Sequence, residues 1–125
     1  ARTPPPGTLP TAAAMPPRTV SSGSRPVLSL DTAAQQLYRL GVLMLEAKDY
    51  AKALDFFTKA AKLAPTPRHQ AMELVSRGHQ YLSTRFFDRA RESFEQALKV
   101  LPSCREAQVS LELLEDQQSR YNRRR

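Results

Sequence analysis

Tryptophan is absent from the 125 residues, cysteine occurs once and histidine twice. No apolar run approaches the 18 residues that a membrane-spanning helix needs. A lone Cys104 cannot close an internal disulfide, which suits a reducing compartment and a soluble, intracellular protein, with cytoplasm and nucleus not distinguished. His69 and His79 stand ten positions apart, so they share no helix face for a metal ion, and Cys104 has no spaced partner. Gly-rich phosphate loops, nucleophile elbows and metal boxes are all missing. The expectation is a non-enzymatic chain with no cofactor, no metal and no small-molecule substrate.

What the chain does have is unevenly distributed. Seven of ten prolines precede residue 31, and residues 1–26 are mostly Pro, Ala, Ser, Thr and Arg, with no acidic group and almost nothing large and apolar. Such a segment buries too little apolar surface to offset its ordering entropy, and is expected to be a disordered linker-like tail. It lacks the apolar run of a secretory signal, and its prolines forbid the amphipathic helix of a mitochondrial presequence. No two prolines are three apart, so a P-x-x-P ligand is absent. Ala1 in place of an initiating methionine is what a fragment or a processed chain would show.

Two stretches 37 positions apart carry the same ordered set of small, aromatic and helix-stopping residues. The first holds Leu37, Gly41, Met44, Tyr50, Ala53, Phe57, Ala60 and Pro65; the second holds Leu74, Gly78, Tyr81, Phe87, Ala90, Phe94, Ala97 and Pro102. Small residues let two antiparallel helices approach, so Gly41 with Ala53 and Gly78 with Ala90 read as crossing points within hairpins. Phe57 and Phe94 are then expected between one hairpin and the next. Pro65 and Pro102 close each unit, because proline lacks the amide donor and disfavours helix before it. This spacing resembles the tetratricopeptide repeat, over roughly residues 31–119. The departures are Leu37 and Leu74 in place of tryptophan, Met44 for an aromatic, Arg77 where Leu40 stands in the first copy, and a period three residues longer than usual.

The extra residues are Thr66, Pro67 and Arg68, where Thr66 can cap a helix opened by Pro67. Helical spacing predicts a first helix capped by Asp31 and running to about Ala47, a second from Tyr50 to about Leu63 capped by Asp49, a third from Pro67 to Ser83 and a fourth from Phe87 to Leu101. Asp55 with Lys59 and Glu95 with Lys99 are expected as outward ion pairs. Ser103 and Glu106 form a capping box that starts a fifth, capping helix over about 104–119. The expected architecture is an all-α, short right-handed α-solenoid of antiparallel hairpins over 27–119, with repeats at about 34–65 and 71–102 and a basic tail at 120–125. Val27, Leu28 and Leu30 are expected to fold over the open end of the first helix.

The resemblance implies a protein partner, a peptide or helix held in the concave face lined by the first helix of each unit. Carried over position by position, that lining is Gln35, Tyr38, Arg39, Val42, Leu45, Met72, Val75, Ser76, His79 and Leu82, with Val109 and Leu113 from the fifth helix. The paired lysines and asparagines with which some members grip chaperone tails are replaced by Tyr38, Val42, Ser76, Glu106 and Ser110. An adaptor or scaffold subunit binding an apolar or amphipathic segment is therefore the leading reading. The alternative comes from the net charge of +7, which divides into +3 in residues 1–26, +3 across 31–104 and +1 beyond. Arg120, Arg123, Arg124 and Arg125 could bind nucleic acid or an acidic surface by counterion release, or sit at a solvated helix end. Nucleic acid is the weaker of the two, because stacking aromatics are not interleaved with the basic residues in sequence.

Overall fold

The computed structural model describes residues 29–124, so the Pro-rich tail, Val27, Leu28 and Arg125 lie outside the described residues. Five helices follow in order: α1 Leu30–Glu46, α2 Tyr50–Leu63, α3 Pro67–Ser83, α4 Phe87–Val100 and α5 Arg105–Arg124. Two hairpins, α1 on α2 and α3 on α4, are joined through α2 on α3, and α5 packs against α4 and α3. This is the expected all-α solenoid of stacked hairpins.

The glycines meet aromatic rings of the second helix of each hairpin. A Cβ added at Gly41 would stand 2.6 Å from Phe57 Cε1, and one added at Gly78 would collide with Cε1 of Phe94. Phe57 and Phe94 are fully buried, each against the glycine of its own hairpin, and Phe57 shares one core cluster with Ala71, Met72 and Val75 of α3. A flat ring is wide enough to need a whole missing side chain on the facing helix. Ala53, Ala90 and Ala97 complete the core around them, and Tyr38 tilts against Phe57 at 5.4 Å between ring centroids.

Helix starts follow side-chain capping, with one displacement. Ser29 rather than Asp31 caps α1, accepting from the Thr32 amide at 3.0 Å, while Asp31 falls inside the first turn, where its charge still suits the helix dipole. The helix therefore begins earlier, and Leu30, 63% exposed at its first position, does not cover the open end. Asp49 accepts from Lys52 and Thr66 from His69, as their spacing predicts. Asp55 and Lys59 pair at 3.1 Å, whereas Glu95 and Lys99 form no ion pair among the described residues.

The turns within the two hairpins share one geometry. Lys48 and Arg85 both take φ 63°, each donating its amide two positions back from the helix end, to Leu45 and Leu82. The following amides, of Asp49 and Phe86, reach Met44 and Tyr81 at 2.9 Å, which makes both turns Schellman motifs. The hydrophobic contact that often accompanies the motif is present only in the second, where Phe86 tilts against Tyr81 at 6.5 Å. The first turn spends that position on the Asp49 cap; Phe86 makes no side-chain cap for α4.

The fifth helix differs most from expectation. It starts at Arg105, so Cys104 holds the position before it and the Ser103–Glu106 box does not form. The Glu106 carboxylate turns instead to Arg68 at 2.9 Å and receives the Cys104 thiol at 3.7 Å. Nor does the helix stop at 119: with no Gly or Pro to break it, and with Asp116 holding Arg120 at 3.0 Å, it continues to Arg124. Arg120, Arg123 and Arg124 are thus on the last turns of α5, where cations complement the helix C-terminus.

Two substitutions probe this frame in opposite directions. Gly78→Ala should lower unfolding free energy by about 1–2 kcal/mol in urea titration, since overpacking against Phe94 outweighs the gain in helix propensity. Lys48→Gly should raise it by about 0.5–1 kcal/mol by relieving the left-handed backbone.

Candidate functional site

The structure brings α1, α3 and α5 around a pocket of about 330 Å³ lined by Leu45, Val75, His79, Arg105, Glu106, Val109, Ser110 and Leu113. The chain places these residues at helical spacing on the inner faces, so one turn of α5 supplies Glu106, Val109 and Ser110 and the next supplies Leu113. Val109 is 53% exposed and Leu113 40%, and both line the pocket with apolar side chains.

His79 forms the polar point of that wall. Its Nε2 lies 2.9 Å from Ser110 Oγ, while the Ser110 hydroxyl donates to the Glu106 carbonyl at 2.6 Å. The serine proton is thereby used, so His79 Nε2–H is the donor. Burial lowers the His79 pKa to about 4, which leaves the ring neutral at pH 7. Tyr50 stacks on one side of the imidazole at 4.9 Å and 12°, and Phe94 meets it edge-on at 5.3 Å. At neutral pH the imidazole therefore adds no charge to the pocket, whose cation is Arg105.

One end of the pocket is charged and balanced. Arg68 on the first turn of α3 pairs with Glu106 on the first turn of α5. Burial works against the Glu106 carboxylate, but its backbone hydrogen bond and the Arg68 guanidinium outweigh this and hold it below the ordinary glutamate range. Burial pushes the Cys104 thiol up, so it stays protonated. His69 is buried, with Nδ1 2.7 Å from the Ala64 carbonyl, and stands apart from His79. No group of three metal-ligating side chains occurs among the described residues.

The lining expected from the sequence divides into three sets. Leu45, Val75, His79, Val109 and Leu113 meet at the pocket, and Leu82 lines an adjoining hollow. Met72 and Ser76 are corrections: they are 1% and 0% exposed and belong to the core. Val75 and Leu82, 0% and 5% exposed, contribute floor rather than rim, so Leu82→Arg would report folding and not binding. Tyr38 and Val42 pack partly buried against the core, while Gln35 and Arg39 are exposed and line none of these pockets. Glu106 and Ser110 stand at the groove positions that the resemblance assigns to a chaperone-tail clamp, and both line the pocket; Arg105, on the first turn of α5, was not expected as lining.

A second concavity, of about 230 Å³, is lined by Arg85, Phe87, Gln117, Arg120, Tyr121 and Arg124. Arg85 lies over the Tyr121 ring at 5.3 Å, Phe87 tilts against the same ring at 5.6 Å, and Arg89 lies over Tyr81 at 6.0 Å. Tyr121, within the basic run, and Phe87, from the start of α4, thus stand among the arginines in space. Arg123 is exposed and lines neither concavity.

The tetratricopeptide repeat family model matches residues 34–67, and a second tetratricopeptide repeat model matches 75–122. The chain belongs to the tetratricopeptide repeat family, a class of protein–protein interaction modules. Among solved structures it is similar to one described as "Arabidopsis OM64 TPR domain", at 17% identity over 70% of this chain and 98% of that one, with a TM-score of 0.37. No curated protein matches. Among the described residues no helix is long and apolar enough to cross a membrane.

The buried imidazole makes folding pH-dependent. Between pH about 4 and 6.5 the unfolded chain binds a proton on His79 that the folded one refuses, so stability is full above 6.5 and falls as pH drops toward 4. The fall should approach about 3 kcal/mol from this group. Tm measured from pH 7 to 4 should therefore decline, and His79→Gln should flatten the slope in that window.

Proposed function

We propose that the protein is an adaptor or scaffold subunit whose pocket between α1, α3 and α5 binds an apolar or amphipathic segment of a partner protein. The observation that carries this reading is the exposure of Val109 and Leu113 facing Leu45 around a pocket whose one histidine is neutral. Exposed apolar surface in a concavity costs solubility, and a ligand with matching side chains removes that cost. Arg105 and Glu106 line one end, and because Arg68 already pairs with Glu106, the charge left over there is that of the Arg105 guanidinium, which gives the ligand an orientation. A chaperone-tail carboxylate finds no lysine in this wall.

Leu113 is the position at which to test it, because it is exposed enough for substitution to leave the fold intact. A random twelve-residue display library selected on the wild-type protein should enrich peptides with apolar residues at helical or alternating spacing. Their affinity should drop at least about tenfold on Leu113→Asp with Tm unchanged. Enrichment of peptides indifferent to Leu113→Asp would remove the pocket from the function.

A further inference from the structure

The apolar pocket does not end at Leu113. His79 and Leu113 also line a hollow with Tyr50, Leu82, Ser83 and Gln117, and Gln117 in turn lines the arginine concavity. Three recesses therefore share walls in sequence along one face of α5, from Val109 through Leu113 and Gln117 to Arg120 and Arg124. At 1.5 Å per residue the path from Val109 to Arg120 is about 16 Å, which an extended peptide covers in about five residues.

The far end of this track is built for one compact anion. Arg85, Arg120 and Arg124 come from two elements and converge on one concavity. Asp116 engages Arg120 at 3.0 Å, but Arg85 and Arg124 make no ion pair among the described residues. Two uncompensated guanidinium forks match a phosphoryl group in charge and in number of acceptor oxygens, whereas one carboxylate fills a single fork. A nucleic-acid strand fits less well. Arg85 and Phe87 already lie against the Tyr121 ring, which a stacking base would have to share with them, and Asp88 interrupts the positive surface beside Arg85 and Arg89.

We propose that the Arg85–Arg120–Arg124 concavity takes a phosphorylated side chain of the partner segment, about five residues from the apolar anchor that fills the pocket. The anchor half of this rests on the binding reading given above; the phosphoryl half does not.

Fluorescence anisotropy with degenerate ten-residue peptide pools separates the two. One pool fixes leucine and, five residues on, phosphoserine; others replace phosphoserine with serine or glutamate, or leucine with glycine; a ten-nucleotide uridine strand is run alongside. The phosphoserine pool should bind at least about tenfold tighter than the serine pool, with glutamate between. Arg85→Asn, which tolerates positive φ, and Arg124→Gln should each erase that advantage at unchanged Tm. Equal affinity of the phosphoserine and serine pools overturns the proposal, as does tighter binding of the uridine strand that the same variants abolish. A phosphoserine advantage that survives both Leu113→Asp and the glycine pool upholds the phosphoryl site and removes the apolar anchor.

Discussion

Everything in this small solenoid depends on a ring laid against a missing side chain. Phe57 on Gly41 and Phe94 on Gly78 set how closely the helices of each hairpin approach, and the alanines around them fill what remains. Because Phe94 is held flat there, its edge is available to His79, and His79 is in turn stacked beneath Tyr50 from the preceding unit. The neutral imidazole that shapes the pocket wall is thus a consequence of hairpin packing two residues' thickness away. Core and site are one stack of rings.

Architecture was readable from sequence because each hairpin is coded locally. Pro67 after Thr66, the aligned glycines and phenylalanines, and the prolines after each second helix carry their meaning in spacing alone. The misplaced boundaries are those where side chains competed for a role. Ser29 displaced Asp31 as a cap because it reaches the Thr32 amide, and Glu106 abandoned its own helix start for the Arg68 guanidinium 38 residues away. Such a long-range partner leaves no trace in a local pattern. The length of α5 was underestimated for a related reason: polarity after Leu114 reads as an ending, yet a polar helix persists when i,i+4 pairs and terminal arginines support it.

The binding surface was legible only in part. Carrying the groove of the tetratricopeptide family over position by position took in Leu45, Val75, His79, Val109 and Leu113, which line the pocket, but also Met72 and Ser76, which are buried in the core. A resemblance assigns positions to a face and not how deeply each lies in it. The arginine concavity was invisible in the linear order because Arg85 and Arg124 are far apart in the chain and meet only after α5 crosses the α3–α4 turn. An aromatic residue looks like core filler at Phe87 until its ring is found beside Tyr121 at the rim.

Each helix of this array rests mainly on its neighbours, so α1 and α5 communicate through the three helices between them. The recess at Leu45 and Leu113 is where those two ends face a common space. A segment seated there would bridge the first and last turns of the superhelix directly, closing an open spring into a loop. Its grip would then stiffen the whole curve, and the curvature of the array would itself become something a partner selects.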